Sequence, residues 1–252
     1  MTDARVIVNA DDLGLDSETN GLIWEAFALG CVSSATLMAN MPAFEEACAG
    51  IAERGLHGAV GLHFNLTYGE PLTDGLRRHR LFCRDGQFDL NLPPWRLRLD
   101  SASRQLVAAE LQAQWDRCVR HGVVPSHIDS HQHVHNRLPV GSLVAVFAGQ
   151  NRVPVRLARN LGRNIGPLKR AYKGLLNAHL RRHCTATVRQ VCTPRDLLHG
   201  LRPGALVEIV AHPRRLPDGR LGDDYLPDDQ SLQTVLQRCL PGYRKISYSE
   251  LR

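Results

Sequence analysis

Between positions 127 and 135, titratable side chains fall at every second residue: His127, Asp129, His131, His133 and His135. Alternate side chains of an extended chain share a face, so this spacing predicts a row of imidazoles and one carboxylate on one side. Imidazole and carboxylate are the groups that zinc and related divalent metals prefer. Five groups cannot all ligate one ion, so some must steady the ligands from behind or face a substrate. A second cluster is Asp11-Asp12. Adjacent residues on a regular strand point to opposite faces. A turn at the strand end, helped by Gly14, brings both into one pocket, where one carboxylate ligates a metal and the other acts as a base. Taken alone, such a pair reads equally well as a helix-capping turn. His63 and His212 are single histidines, each after an apolar run.

The elements around these residues alternate. Residues 5–8, 32–38, 58–62, 153–157 and 205–210 read as short buried strands, and 127–129 as a strand end. Helical spacing runs over 18–29, 42–53 (with Pro42 in the first turn), 140–149, 168–182 and 231–240. The clearest amphipathic helix is 103–121, with the stripe Leu106, Val107, Leu111, Trp115, Cys118 and Val119, closed by Gly122. Residues 68–100 carry turn residues and predict an irregular insertion with a small hairpin at Arg84-Asp85-Gly86. Alternating strands and helices argue for a parallel sheet or barrel, and 252 residues suit one domain, an irregular TIM-barrel-like (β/α) barrel. In such folds the strand C-terminal ends share one face. Asp11-Asp12, the run from His63, the run from His127 and His212 each follow a strand, so that face gathers all of them.

Hydrophobic residues make up 43% and charged residues 22%, ordinary for a globular chain that buries its own core. The net charge is +6, and residues 156–189 contain many Arg and Lys but no Asp or Glu. A basic helical segment over about 163–190 is either a solvated face or a surface for an anionic partner such as a lipid headgroup, a sugar phosphate or nucleic acid. The absence of a recognisable nucleic-acid module ranks nucleic acid last. Seven scattered cysteines without a CxxC fit free thiols in a reducing compartment. No signal peptide is legible at the N-terminus, and no apolar run approaches the roughly 20 residues of a membrane span. The expectation is a cytoplasmic protein, with a homodimer as the default assembly.

Four runs together resemble the YdjC-type carbohydrate deacetylases, a family that includes chitooligosaccharide deacetylases and a branch linked to hopanoid biosynthesis. They are NADDLG (9–14), HFNLT (63–67) with Gly69 and Pro71 after it, HIDSHQHVH (127–135) and His212-Pro213. The resemblance spans residues 9–213 and keeps the family's order and rough spacing. It implies an irregular (β/α) barrel holding one divalent metal on Asp12, His63 and His131. It further implies Asp11 as catalytic base, His212 as general acid and Arg156 as the group orienting the base. Asn65, Thr67, Asp129, His133 and His135 are then left to contact substrate or support the ligands. The implied activity is removal of an N-acetyl group from a mono-, oligo- or lipid-linked amino sugar. Zinc or magnesium leads the metals, with cobalt, manganese and iron also compatible with the donors. Competing readings are a metal-dependent hydrolase of another amide or of a phosphoester, and a non-enzymatic binder of anionic lipid or nucleic acid. The basic segment is not recognisable from the family's sugar-binding parts and points to a charged or lipid-linked substrate.

Overall fold

The computed structural model describes residues 4–93, 95–184 and 187–251. β1 (Arg5–Leu13) leads into α1 (Ser17–Ala28), whose N-cap Asp16 accepts from the Thr19 amide at 2.7 Å. β2 (Ser34–Leu37), α2 (Phe44–Glu53) and β3 (Val60–Phe64) follow. α2 begins two residues after Pro42, with Ala43 as its N-cap, so the proline precedes the helix instead of opening it. The insertion holds α3 (Asp74–Arg77) and the hairpin β4 (Cys83–Arg84) and β5 (Gln87–Phe88). Asp85 and Gly86 take φ of 51° and 80° at its tip, the left-handed pair that a two-residue hairpin turn requires. α4 (Ser101–Arg120) is capped by Asp100 and leads to β6 (Ile128–Ser130), a 3-10 turn (His131–Asn136) and α5 (Leu138–Gln150). α6 (Pro167–Arg181) and β7 (Val191–Cys192) come next, then α7 (Pro194–Leu198) and β8 (Leu206–Ala211). The chain closes with the hairpin β9 (Pro213–Arg215) and β10 (Leu221–Asp223), then α8 (Leu232–Cys239), β11 (Arg244–Lys245) and a final 3-10 turn (Tyr248–Leu251).

Among the described residues the main sheet has seven strands in the order β6-β3-β2-β1-β8-β7, with β11 against the start of β1. All of its pairings are parallel. The sheet curls, and residues 153–161 span the gap between its two edges. Ile128 donates to the Pro154 carbonyl at 2.9 Å and Arg156 to that of Ile128 at 3.0 Å, while Asn160 and Leu161 both donate to the Val191 carbonyl at 3.2 Å. The strand expected over 153–157 is thus a single bridge at Val155. Pro154 has no amide to give, and the chain leaves the β6 ladder after one pair. The result is a barrel-like α/β fold, and among the described residues strand pairing does not draw the eight-stranded ring of a TIM barrel.

The helices pack their apolar sides on the outside of the sheet, around Val8, Leu37, Leu62, Ile128 and Ile209. α6 differs: Lys173, Leu176, Asn177 and Leu180 form its buried side. Lys173 Nζ donates to the Arg159 carbonyl at 2.7 Å, and the Asn177 amide bonds both backbone groups of Ala158. Those three bonds fasten the helix to the spanning segment that carries Arg156.

Candidate active site and metal centre

Asp11 and Asp12 enter the same pocket through a β-bulge. β1 pairs with β2 at Ala10↔Ala35 and again at Leu13↔Leu37, so two residues of β1 oppose one of β2. Asp12 takes up the slack at φ 71°, a left-handed conformation that an aspartate tolerates better than most side chains. Gly14 follows at φ 88°, with Leu37 and the Met38 carbonyl too close to leave easy room for a Cβ. The shared pocket expected from a strand-end turn is reached, but inside the strand.

Asp12, His63 and His131 bring one ligand-type atom each within 4.8 Å of one another. Asp12 Oδ1 lies 3.0 Å from His63 Nε2 and 2.8 Å from His131 Nδ1. The far nitrogen of His63 sits 2.6 Å from Asp129 Oδ1, the carboxylate backing that commonly fixes a ligating imidazole. Thr36 Oγ1 adds a 3.1 Å bond to Asp129 Oδ2. Burial alone would lower the His63 pKa, but Asp129 and Asp12 on its two sides raise it to about 10. This corner of the pocket therefore favours a positive charge. A second group with suitable spacing, Asp11, His63 and Asp129, is also present. Both of its carboxylates already accept from Arg156, which would repel a cation placed among them.

Arg156 is 1% exposed and gathers three carboxylates from three strands. It holds Asp11 bidentately at 2.7 and 2.8 Å, reaches Asp129 Oδ2 at 2.6 Å and gives Nε to Glu208 at 2.5 Å. The Tyr248 hydroxyl donates to the other oxygen of Glu208. Burial pushes the Asp11 carboxyl up, yet the Arg156 guanidinium outweighs that and holds it below the usual range. Asn9 Nδ2 adds a 2.9 Å bond to Asp11 Oδ1. Beneath Asp129, His127 stacks on Tyr248 with ring centroids 3.7 Å apart.

His212 faces the pocket from the other side, its Nε2 3.8 Å from Asp11 Oδ2 and 3.8 Å from Asp12 Oδ2. Its backbone amide is held by Asp223 at 2.7 Å, and Tyr225 packs edge-on to its ring at 5.2 Å. Burial raises the Asp223 carboxyl to about 7.

The histidine run does not stay extended, which corrects the expected alternation. β6 ends at Ser130, and Gln132 and His133 take φ of 47° and 52°. His131 points to Asp12, whereas His135 turns back and bonds Ser130 Oγ at 2.5 Å. His133 is half-buried at the pocket, and burial lowers it to about 4. Asn65 is fully buried and spends its amide on Thr67 and Tyr68 of its own loop and on Asn40 between β2 and α2. Thr67 Oγ1 bonds Asn65 in turn at 3.3 Å. The loop these two fold carries Tyr68 to 6.4 Å from the His131 ring. Beyond Tyr68 opens a groove of about 770 Å³ lined by Asn40, Glu70, Arg77 and Gln87 among others. Sequence reasoning missed Thr36, Glu208, Asp223, Tyr225 and Tyr248. Thr36, Glu208 and Tyr248 reach the site through long-range pairing, whereas Asp223 and Tyr225 come to His212 by the β9–β10 hairpin. Glu208 had the best clue, a lone acid inside a buried strand.

The sequence model of the family described as YdjC-like protein matches residues 5–243. A carbohydrate deacetylase of Geobacillus stearothermophilus is 44% identical over 153 residues, covering 61% of this chain and 59% of that protein. A chitooligosaccharide deacetylase of Klebsiella pneumoniae is 38% identical over 167 residues, 64% of this chain and 62% of its own. The matched stretch thus spans about three fifths of each relative's length. Among solved structures, a candidate cellobiose-phosphate cleavage protein of Enterococcus faecalis superposes with a TM-score of 0.72 at 20% identity, over 99% of both chains. The lactam utilization protein of Thermus thermophilus reaches 0.55 at 13% identity, over 96% and 99%. At these identities the likeness concerns the fold.

Proposed function

Since the chain belongs to the YdjC-like protein family, we propose that it is a metal-dependent hydrolase that removes the N-acetyl group of an amino sugar, giving acetate and a free amine. The observation that carries this reading is the closeness of two unlike carboxylates. Asp12 joins His63 and His131, while Asp11, the next residue, is held by Arg156 beside them. The naming of similar proteins as carbohydrate and chitooligosaccharide deacetylases supports the substrate class.

In this reading Asp12, His63 and His131 would hold the ion; Nε2 is the His63 nitrogen facing Asp12, since Nδ1 is bonded to Asp129. One carboxylate and two imidazoles suit zinc, cobalt, manganese or iron better than magnesium, which favours oxygen ligands. Such an ion supplies Lewis acidity, polarising an acyl oxygen and making water acidic enough to attack near neutral pH. Asp11 stays ionised because Arg156 lowers its pKa, so it can accept the proton of the attacking water. Arg156 also fixes the orientation of that carboxylate through two bonds, which a single-point cation could not do. His212, across the pocket, protonates the departing nitrogen, because an amide anion is too basic to leave unaided. The groove beyond Tyr68, with its amides, charged groups and one aromatic ring, offers the mixed surface that a sugar chain needs.

The test is an acetate-release screen on N-acetylated mono-, oligo- and lipid-linked amino sugars, with zinc, magnesium, cobalt and manganese each supplied to metal-stripped protein. Metal-dependent acetate release is expected. Release of phosphate from phosphoesters with no acetate from any acetylated sugar would overturn the reading. His131→Ala should lose the bound ion; one equivalent retained at unchanged affinity would remove His131 from the ligand set.

A further inference from the structure

The acid-free stretch leaves an exposed surface that the site does not use. Along the first two turns of α6, Pro167 to Tyr172 are all exposed. Leu168, Tyr172 and Leu175 follow the i, i+4, i+7 spacing of a single helix face, and they are 85%, 38% and 75% exposed. Two bare leucines on one face of a well-anchored helix are not explained by packing within this chain. Arg163, Lys169, Arg170, Arg181 and Arg182 lie on the same helix or beside its ends, all exposed, and none has a side-chain ion pair among the described residues.

A second element continues the surface. The Tyr172 hydroxyl donates to the Asn136 carbonyl at 2.8 Å, and the next residue, Arg137, donates to the carbonyl of Leu92 in the insertion. Just beyond Leu92 stand Trp95 and Leu97, 80% and 63% exposed, with the exposed Arg98 beside them and the half-buried Arg96 between them, 3.8 Å from Asp100. Exposed apolar side chains thus stand on the two elements that residues 136–137 bond, each with arginines in the same stretch of chain. Residues 136–137 end the turn that begins at His131.

We propose that α6 and the Trp95–Leu97 stretch form a docking surface for an anionic phospholipid bilayer, which sets the mouth of the site at the membrane surface. The charge argues for this occupant: residues 156–189 contain no acid, so every charged side chain that α6 exposes is a Lys or Arg. Apolar side chains enter the headgroup boundary while cations meet lipid phosphates, the arrangement of interfacial helices. No helix among the described residues is long and apolar enough to cross a membrane, so the contact lies in the surface plane.

Flotation with phosphatidylcholine vesicles, with and without phosphatidylglycerol, tests the surface without reference to activity. The whole protein should float only with the anionic vesicles, and added salt should weaken the binding. Leu168→Ser with Leu175→Ser should weaken it roughly tenfold or more. Lys169→Gln with Arg170→Gln should weaken it while light scattering shows the same assembly as the parent. Melting temperatures should not move, because every substituted side chain is exposed. Failure to float, or equal binding to neutral vesicles, would overturn the proposal. So would a leucine variant that turns a dimer into a monomer yet floats like the parent, since the stripe would then be a subunit interface.

Discussion

Arg156 and Arg170 belong to one uninterrupted basic stretch, and the fold treats them in opposite ways. Arg156 is almost fully buried and holds Asp11, Asp129 and Glu208, which come from β1, β6 and β8. Arg170 sits fourteen positions later in the sequence, on the exposed first turns of α6, with no ion pair among the described residues. Arg159 and Lys173 lie between these extremes, Arg159 on Asp196 and Lys173 on a carbonyl. A basic residue's type therefore says little about its role; what decides is whether distant strands deliver carboxylates to it. Inside, a guanidinium orients acids for chemistry at a high cost in desolvation. Outside, the same group remains hydrated and available to another surface.

The sharpest way to break this contrast is Arg156→Leu. Three buried carboxylates would lose their shared cation, and breaking a buried ion pair costs about 3–5 kcal/mol. Denaturant unfolding should show a loss of that order at neutral pH. The loss should shrink in mild acid, where Glu208, already raised by burial, can take up a proton. An unchanged midpoint would mean that water or side-chain rearrangement satisfies these acids and that Arg156 is no keystone. Asp11→Asn comes next, because Asn keeps the shape and can still accept from Arg156. Acetate release should fall by roughly 10²-fold or more, the usual scale for general acid–base catalysis, with metal content unchanged. Full activity would take the base role away from Asp11.

Much of this arrangement was readable in the residues, and the failures have physical reasons. Hydrophobic runs put each cluster just after a strand; Asp11, Asp12 and His63 lie inside the last residues of their strands instead, yet Asp11, Asp12, His63, Asp129, His131, Arg156 and His212 meet at one pocket. The alternation from His127 to His135 suggested a common face that does not exist, because the chain leaves β6 at Ser130 into left-handed φ. Nothing local in the HQH sequence announces that turn; the strand simply runs out of a neighbour to pair with. Likewise the two-for-one bulge at Asp11-Asp12 depends on the register with β2, which one strand's sequence cannot hold. Asn65 reads as a site residue by its motif but spends its polar atoms on building the Tyr68 loop. Glu208 and Tyr248 meet across 40 residues, beyond the reach of any spacing rule. The helices were the easiest: α6 lies within a residue of its expected ends, since its period needs no distant partner.

Acid should expose the cost of the buried interior more gently. His127 is fully buried against Tyr248, and burial lowers its pKa from 6.5 to about 3. Well above pH 6.5 the ring is neutral folded or unfolded and contributes no pH dependence. Below that value the unfolded chain binds a proton that the folded chain refuses, so stability falls with decreasing pH until about 3. One such group accounts for a slope of at most about 1.4 kcal/mol per pH unit. His135 is lowered in the same direction, so the parent should lose more than one proton's worth. His127→Phe keeps a ring for Tyr248 to stack on and should flatten the slope of unfolding free energy between these limits by about one proton. An unaltered slope would show that the His127 ring reaches water in the folded protein.

The smallest expected effect lies at the other end of the comparison. Arg163 and Arg170 line a second cavity of about 530 Å³ beside α7, yet Asp196, the acid within it, is already taken by Arg159. Each guanidinium is exposed, so a change to Gln removes a hydrated charge and no internal bond. Arg163→Gln and Arg170→Gln should therefore each leave unfolding free energy within about 0.5 kcal/mol of the parent. Acetate release from a water-soluble oligosaccharide should be equally insensitive, because neither residue touches the groups around Asp12. Removing like charges from a stretch without acids can even stabilise slightly, and most visibly at low salt, where the mutual repulsion is least screened. A loss above about 1 kcal/mol for either variant would exceed what an exposed, unpaired charge can give. It would place that arginine in an internal pairing and erase the distinction between the two halves of the basic stretch.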